Sequence, residues 1–478
     1  MLPWWGFAVF AFGANFVLWG FTGVARLVDE RAVMTRLRRA GAVLGGLVVW
    51  AVTSPLGLVR LLRRSHTADR PASLASVPDG RFTVADVAVL IPAHNEEVVI
   101  TESLAAIIGL VPTENVHVVS DGSTDDTVAL ASAMGVHVMA TRTNLGKAGA
   151  LEEAIAEFRL VERFPVVMLL DADTRVQPGY FTAALPLFDD PEVVAVAGCV
   201  RTARDRRMSL VGNLLVAHRT RIYALGQRIL KFGQTWAKVN ATHIVPGFAS
   251  LYRTAVLPKI DMNPPGLVIE DFNMTFEVYR HRLGKVGFSL DAVAVTQDPD
   301  TLHDYVRQTR RWSLGLWQTV RRHPPNANLF TAMLTVLLIE LLTSSLVFLL
   351  LPLLFLVLLL PDALPATAGL PVFGWLHTVV SAHVNVTTLV FGILVPDLLM
   401  TVLVALLERR PRLLLGAPFF VFLRVLDAAT ALVTLPLAWV ARSDGRWRSP
   451  ARRALTATAD EPAGTTAPAP VEEMEVAG

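Results

Sequence analysis

The chain has 478 residues, of which 53% are hydrophobic and 18% charged, and its mean hydropathy of +0.48 is higher than that of an ordinary soluble protein. The formal net charge of +2 gives no indication of a nucleic-acid partner, for which a strongly basic surface is expected. The single cysteine, Cys199, excludes an internal disulfide bond and a cysteine-based zinc site.

The first 64 residues contain two apolar runs that are long enough to cross a bilayer. Residues 3–25 form the first run, with tryptophans near its ends, and residues 40–62 form the second. No basic segment precedes the first run, which disfavours a signal peptide. Both flanks of the second run are basic, so its orientation stays open. We predict transmembrane segments within 1–64 and a polar linker over 65–84.

Residues 85–325 differ in character, because short apolar runs alternate with amphipathic segments. This alternation is typical of βαβ units and of a mostly parallel sheet. It predicts strands at 87–93, 116–121, 136–141, 166–171 and 193–200, and a shorter strand ending at 253. The predicted fold class is therefore α/β, and the stretch is long enough for a single core.

Polar residues follow the first two predicted strands. The first strand ends at Ala93 and leads into Asn95 and Glu96. Asn95 can cap a helix from residue 97, which is the alternative to a role of this group in a binding site. Asp121 ends the second strand. Its carboxylate could accept hydrogen bonds from a base edge or a ribose, or it could only stabilise the turn.

Lys147 follows the third strand, in the sequence NLGKAGA. The stretch is not a Walker A loop, because the glycine spacing and the following Ser or Thr are missing. A lysine at a helix N-terminus favours a phosphate, since the cation and the helix dipole both attract it. A solvated surface lysine is the alternative.

The fourth strand, in VVMLLDADTR, runs directly into Asp171 and Asp173. Open α/β sheets bind ligands at the carboxyl ends of their strands. Two carboxylates one residue apart can approach one hard cation and the phosphates that it carries. A solvated acidic turn is the alternative.

Two more polar groups lie on predicted helices. Glu270 and Asp271 open a helix that extends to residue 282, where adjacent carboxylates could also serve the helix dipole. Gln308, Arg311 and Trp312 have i, i+3 and i+4 spacing and so share one helix face. An amide, a bidentate phosphate donor and a flat aromatic ring suit a sugar-phosphate ligand.

The groups occur in the order IPAHNE, SDGSTDD, NLGKAGAL, DAD, ED and QTRRW, between apolar segments. This ordered set resembles the membrane-bound processive family 2 glycosyltransferases, which include cellulose, chitin, hyaluronan and poly-N-acetylglucosamine synthases. The resemblance covers residues 85–325 and the membrane plan on both sides. It implies a GT-A fold, with a Rossmann-like, mostly parallel mixed sheet, in a cytosolic domain.

The resemblance implies a nucleotide site at four positions. Asp121 corresponds to the residue that reads the uracil of UDP, Ala93 and Glu96 correspond to the uridine pocket, and Lys147 lies near the diphosphate. Ser120 departs from the pattern, because many members have an aspartate there. The base-reading position is the following one, which is kept.

The resemblance also implies the catalytic groups. Asp171 and Asp173 correspond to the pair that binds donor and Mg²⁺ or Mn²⁺, the second aspartate touching the metal. Asp271, beside Glu270, corresponds to the general base, although Ile269 replaces a frequent Thr. The motif that covers the donor and acceptor sites corresponds to Gln308, Arg311 and Trp312.

The apolar pattern of the C-terminal region predicts transmembrane and interfacial helices over 326–453. Apolar runs at 329–360, 386–407 and 413–440 are long enough to cross a bilayer, and 373–383 suits the interface. Pro352 could divide the first run in two. Arginines after residue 441 favour a cytosolic C-terminus, which requires an even number of crossings, whereas three runs are clear.

Glu340 and Asp397 lie within these apolar runs. Such residues are costly in lipid and face a protein interior or a channel, so a polysaccharide path or a buried pair is expected. Residues 454–478 are rich in Ala, Thr, Pro and Glu, and their composition predicts disorder.

These observations predict an inverting, metal-dependent glycosyltransferase in the cell membrane, multi-pass, with its catalytic domain in the cytosol. Its expected donor is a UDP-sugar, first UDP-N-acetylglucosamine and then UDP-glucose, and its expected acceptor is the end of a growing polysaccharide that is exported through the membrane region. One alternative is a single transfer to a polyprenyl phosphate or another lipid. A non-catalytic membrane scaffold or transporter is a second, which the intact carboxylates disfavour.

Overall fold

The computed structural model describes residues 82–203, 207–441 and 452–453, together with Gly20 and Thr22. The predictions for the segments within 1–64, for most of the linker and for the tail 454–478 therefore fall outside the described residues.

Eight strands form one mixed sheet in the order β3-β2-β1-β4-β7-β6-β8-β5. Their bounds are β1 Val87–Ala93, β2 Val116–Ser120, β3 His137–Ala140, β4 Val166–Leu170, β5 Arg175–Val176, β6 Val193–Thr202, β7 Ala249–Arg253 and β8 Lys285–Thr296. The six predicted strands are present close to their predicted bounds, whereas β5 and β8 were not predicted.

The strand directions place the polar residues after β1, β2 and β4 at one edge. β1 pairs in parallel with both β2 and β4, and β2 pairs in parallel with β3. β6 is parallel to β8, while β7 is antiparallel to both β4 and β6. The predicted mostly parallel mixed sheet is confirmed, and its carboxyl edge carries the residues that follow Ala93, Ser120 and Leu170.

The sheet is covered on both faces, which explains its continuous apolar strands. Successive residues of a strand point to opposite faces. In β1, Val89 and Ile91 accordingly belong to one core layer with Leu104, whereas Leu90 belongs to the other with Leu151.

The helices of the domain alternate with the strands. Those of four or more residues are α1 Ile100–Ile108, α2 Thr127–Ala133, α3 Gly146–Glu157, α4 Leu160–Arg163, α5 Tyr180–Ala184, α6 Leu210–Leu225, α7 Glu270–Arg280 and α8 Leu302–Arg322. Lys147 lies in the first turn of α3, as predicted. α6 continues through a π-helical turn, Gly226–Lys231.

Three helices after the domain are long and apolar enough to cross a membrane. They are α9 Leu329–Ala363, α11 Val386–Leu407 and α12 Leu413–Val440, and the shorter α10 Pro371–His383 lies between the first two. The three predicted apolar runs are thus confirmed as helices. The division at Pro352 is wrong, because α9 is continuous through it. A continuous helix forms its backbone hydrogen bonds internally, as a segment in apolar surroundings requires.

The capping alternative for Asn95 is not the arrangement found. The helix begins only at Ile100, and its N-cap, Val99, makes no side-chain capping bond. Asn95 instead has a left-handed backbone, with φ of 55°. Its side-chain oxygen accepts a hydrogen bond from the Thr124 backbone N–H at 2.8 Å, so it joins the loops that follow β1 and β2.

Candidate functional site

A cavity of about 620 Å³ lies at the carboxyl edge of the sheet. Nine of the eleven predicted site residues line it, namely Glu96, Lys147, Asp171, Asp173, Glu270, Asp271, Gln308, Arg311 and Trp312. The other two, Ala93 and Asp121, are fully buried and do not line it. The fold therefore brings together residues that are more than 200 positions apart in the chain.

Lys147 connects the strand end to the start of α7. Its ammonium lies 2.7 Å from Asp171 Oδ1 and 2.9 Å from Glu270 Oε1. Burial of the ammonium opposes its charge, but these two carboxylates raise the pKa of Lys147 well above its usual value. Burial likewise opposes the charge of Glu270, whereas Lys147 lowers the pKa of that carboxyl. Lys147 and Glu270 therefore remain charged at neutral pH.

Gly247 leaves the space in which this charge cluster fits. A Cβ atom there would lie 2.9 Å from Lys147 Nζ and 3.2 Å from Glu270 Oε1. Lys147 also donates a hydrogen bond to the Gly247 carbonyl oxygen at 3.4 Å. A larger residue would require the ends of these two flexible side chains to shift.

Asp271 differs from its neighbour Glu270, because the structure describes no ion pair for it. Its carboxylate accepts hydrogen bonds from the backbone N–H groups of Phe272 at 2.7 Å and Gly247 at 3.4 Å. Burial, and next the charge of Glu270, raise the pKa of Asp271 to about 7. A carboxyl group with such a pKa can accept a proton from a hydroxyl group near neutral pH.

Asp121 organises the loop that leads into α3. Its two oxygens accept hydrogen bonds at 2.8 Å from the backbone N–H groups of Leu145 and Gly146, and one of them accepts another from the Thr141 hydroxyl at 3.0 Å. It is fully buried. The structure therefore places Asp121 in the turn-stabilising arrangement that the sequence left open.

Glu96 and Asp173 converge on one cation. The guanidinium of Arg452 donates hydrogen bonds to Glu96 at 2.8 and 3.1 Å and also binds Asp173 Oδ2. Two carboxylates that enclose one cation fit Mg²⁺ or Mn²⁺, since Mg²⁺ is commonly held by one or two carboxylates together with substrate phosphates and water. Within the described ranges, no group of three or more His, Cys, Asp or Glu residues could hold a metal by itself.

Helix α8 carries the three aromatic and polar residues on the other side of the cavity. Gln308, Arg311 and Trp312 all line it, which confirms that they share one face. Trp312 also packs with the apolar cluster of Ile269 and Phe272 at the start of α7.

The cavity continues from this face to the membrane-length helices. Its lining there includes Ser344 and Phe348 of α9 and Arg424 and Asp427 of α12. Asp427 is bound by His218 Nε2 at 3.1 Å and accepts a hydrogen bond from the Tyr305 hydroxyl at 2.8 Å. One space therefore connects the carboxylates of the sheet with the helices that follow the domain.

The two acidic residues singled out in the apolar runs from the sequence, Glu340 and Asp397, do not line this cavity. Asp397 is 3% exposed, and its carboxylate lies 2.5 Å from Arg221 and 3.4 Å from Arg424. Of the two expected arrangements, the buried pair is therefore the one found for Asp397. Glu340 is half-buried on α9.

Several residues of the site were not predicted from the sequence. Arg219, on α6, donates hydrogen bonds to Gln308 and Thr309. Lys231 lines the cavity, and burial lowers its pKa to about 8. Arg452 was interpreted only as evidence for topology. The motif pattern contained no signal for these residues, since each acts across a long distance in the chain.

Residues 85–315 match the family model described as "Glycosyltransferase like family 2". The chain is 28% identical over 242 residues to "Probable glycosyltransferase YdaM" of Bacillus subtilis, covering 48% of this chain and 54% of that protein. It therefore spans about half the length of the curated relative that it matches.

Two solved structures illustrate the structural similarity. The mannosyltransferase PcManGT from Pyrobaculum calidifontis, in complex with GDP-Man and Mn²⁺, is 17% identical with a TM-score of 0.49, covering 80% of this chain and 96% of that one. Glucosyl-3-phosphoglycerate synthase from Mycobacterium tuberculosis, with Mn²⁺, UDP and its product, is 19% identical with a TM-score of 0.36, covering 54% and 87%. The family match, together with the mixed sheet and the three membrane-length helices, confirms the predicted GT-A class.

Proposed function

Starting from a glycosyltransferase family 2 domain over residues 85–315, we propose that the chain transfers a sugar, with inversion, from a UDP-sugar to the end of a growing polysaccharide. The observation that carries this proposal is the single cavity that runs from the carboxylates of the sheet to α9 and α12. UDP-N-acetylglucosamine is the first donor to test. We place the protein in the cell membrane with this domain on the cytosolic side, as the resemblance implies.

The donor is proposed to bind at the carboxyl edge of the sheet. Lys147, in the first turn of α3, and Arg311 on α8 supply positive charge for the diphosphate. Glu96, with Ala93 and the loop held by Asp121, forms the uridine side. Asp173, with Asp171 beside it, would hold Mg²⁺ or Mn²⁺, which when bound neutralises charge on the diphosphate.

Asp271 is proposed to be the general base. It accepts the proton of the acceptor hydroxyl, and that oxygen forms a bond to the anomeric carbon of the donor. The bond between this carbon and the phosphate oxygen breaks on the opposite face, and UDP leaves with the electron pair. Arg311 and Lys147 stabilise the departing charge. A single displacement of this kind inverts the anomeric configuration.

The acceptor is proposed to rest on Trp312 and to extend toward the membrane helices. An indole ring is a suitable surface for the apolar face of a sugar. Arg221 and Arg424 lie beyond it and share Asp397. A saccharide is proposed over a polyprenyl phosphate because the resemblance associates the motif of Gln308, Arg311 and Trp312 with chain elongation.

A donor panel tests the proposal. Purified full-length protein in detergent is incubated with Mn²⁺ and each of several UDP- and GDP-sugars, and nucleotide release is measured and products are sized. We expect UDP release with one UDP-sugar and a product of several sugar units. A single sugar in an organic-soluble product would indicate the lipid acceptor instead. No nucleotide release from any donor would contradict the enzyme proposal and favour a scaffold.

A further inference from the structure

Arg219 lies directly behind the motif on α8. It belongs to α6 and is 3% exposed. Its guanidinium lies between two aromatic rings, 4.3 Å from the centroid of Tyr305 and 4.5 Å from that of Trp312. A planar cation can stack on both rings at once, which a lysine ammonium cannot do in the same way.

The same guanidinium also holds the polar residues of the motif. One of its amino groups donates hydrogen bonds to Gln308 Oε1 at 3.2 Å and to the Thr309 hydroxyl at 2.7 Å. Tyr305, Gln308 or Thr309, and Trp312 are spaced three to four residues apart, so they form one stripe along α8. A single side chain of α6 therefore contacts three successive turns of α8.

Burying the charged guanidinium of Arg219 costs free energy, which is not expected of a residue that only packs two helices together. Its Nε atom has no hydrogen-bond partner within the part of the chain that the structure describes. No carboxylate of that part lies within ion-pairing distance of it, in contrast to Arg221 and Arg228 on the same helical segment. Burying an unpaired cation is unfavourable, and an apolar residue would pack α6 against α8 without that cost. The π faces and the two acceptors offset the burial.

We propose that Arg219 is a positioning residue for the acceptor platform. It fixes the plane of the Trp312 indole and the Gln308 amide, both of which line the cavity, while Arg219 itself stays behind them. This inference rests on the proposed function, in which Trp312 supports the terminal sugar of the acceptor. Loss of Arg219 loosens the acceptor and leaves the donor site, which apart from Arg311 is built on other elements, in place.

A double-mutant cycle between Arg219→Gln and Trp312→Phe tests the inference. Both variants and the combined variant are compared with wild type for UDP affinity by calorimetry, product length, and near-ultraviolet circular dichroism of the tryptophans. We expect Arg219→Gln to shorten the product and to lower the ratio of transfer to donor hydrolysis about tenfold, the scale of a desolvated cation–π contact. UDP affinity should change less than about twofold, which corresponds to less free energy than one such cation–π contact.

Two further variants separate positioning from stability. Arg219→Lys keeps the charge but not the planar stack, so it should behave like Arg219→Gln and restore little of the transfer. Arg228→Gln is the matched control, because it removes a half-buried ion pair, with Glu408 at 2.8 Å, on the turn that continues α6. It should lower thermal stability without changing the ratio of transfer to hydrolysis.

The outcomes separate this inference from the proposed function. If Trp312→Phe removes most of the dichroic and product-length effect of Arg219→Gln, the coupling is established. Additive effects, or a normal ratio in a folded Arg219→Lys protein, would overturn it. If wild type releases no UDP from any donor, the proposed function fails, and the dichroism cycle alone still decides whether Arg219 orients Trp312.

Discussion

Replacing Asp271 by asparagine should remove transfer and leave donor binding largely intact. Asparagine has nearly the same shape, and its amide oxygen can accept the shorter hydrogen bond, from the Phe272 N–H at 2.7 Å, while the longer one from Gly247 at 3.4 Å is lost. The asparagine amide cannot take up the proton of the acceptor hydroxyl group. Loss of a positioned general base typically costs about 10²- to 10⁴-fold in rate, so transfer should fall at least about a hundredfold.

The pH dependence of wild type gives a second expectation for the same residue. The pKa of Asp271 is raised to about 7, first by burial and then by Glu270, and the base is the ionised form. The transfer rate should therefore fall as the pH drops below 7, approaching about tenfold per pH unit. Glu270→Gln removes one cause of the raised pKa, so any remaining activity should persist to lower pH.

Stability gives a check on the variant itself. A raised carboxyl pKa means that the folded protein disfavours the ionised Asp271. A neutral amide at this position should therefore not lower the unfolding midpoint at pH 8. The matched control is Asp261→Asn, which removes a half-exposed surface partner of Arg322 and should leave transfer unchanged.

UDP release, sugar transfer and UDP affinity can be measured on the same preparations of wild type, Asp271→Asn and Asp261→Asn. Transfer within about tenfold of wild type in the stable Asp271→Asn protein would refute the base assignment, since even a weak general base contributes more. A wild-type transfer rate that does not change between about pH 5.5 and about pH 8, a range that includes the pKa of Asp271, would refute the assignment independently.

Three other substitutions test the remaining parts of the cavity. Asp173→Ala should abolish the Mn²⁺ dependence of UDP binding; equal UDP affinity with and without Mn²⁺ in wild type and variant would remove the metal role. Arg452→Ala should strengthen Mn²⁺ binding measured by calorimetry, because Arg452 occupies Asp173, one of the two proposed metal ligands; unchanged or weaker binding would contradict this competition. Trp312→Ala should shorten the product while UDP release persists in part, and Trp312→Phe should be milder; a stable Trp312→Ala protein with products of normal length would exclude the acceptor platform.

The local sequence pattern was sufficient to predict which residues lie at the carboxyl edge of the sheet. The apolar run before Asp171 indicates a strand buried on both faces, because both core layers contact it. Parallel pairing then brings the ends of β1, β2 and β4 to one edge, as the alternation of elements implied. The helix spacing of Gln308, Arg311 and Trp312 was sufficient to predict that they face one ligand.

The errors and omissions have physical causes. Asn95 has the residue type of a cap, but its oxygen binds Thr124 across two loops, a contact that no local pattern contains. β8 was missed because polar Ser289 and Asp291 interrupt its apolar pattern at a register shift against β6. β5 has only two residues.

Long-range contacts explain what the motifs could not predict at the site. Arg219 contacts α8 from about 90 positions earlier in the chain. Arg452 binds Glu96 from 356 positions away. A motif also does not show which of two adjacent carboxylates is paired. Only the fold places Glu270 on Lys147 and leaves Asp271 with backbone partners.

The most direct test of sugar transfer to a growing saccharide is to follow a labelled sugar. Wild-type protein in lipid nanodiscs is given the UDP-sugar that supports release, labelled in its sugar, and Asp271→Asn is run in parallel to exclude contaminating enzymes. We expect the label to enter a saccharide of several units with wild type and to enter no product with Asp271→Asn. Label found only in free sugar, or incorporated equally by both proteins, would contradict it.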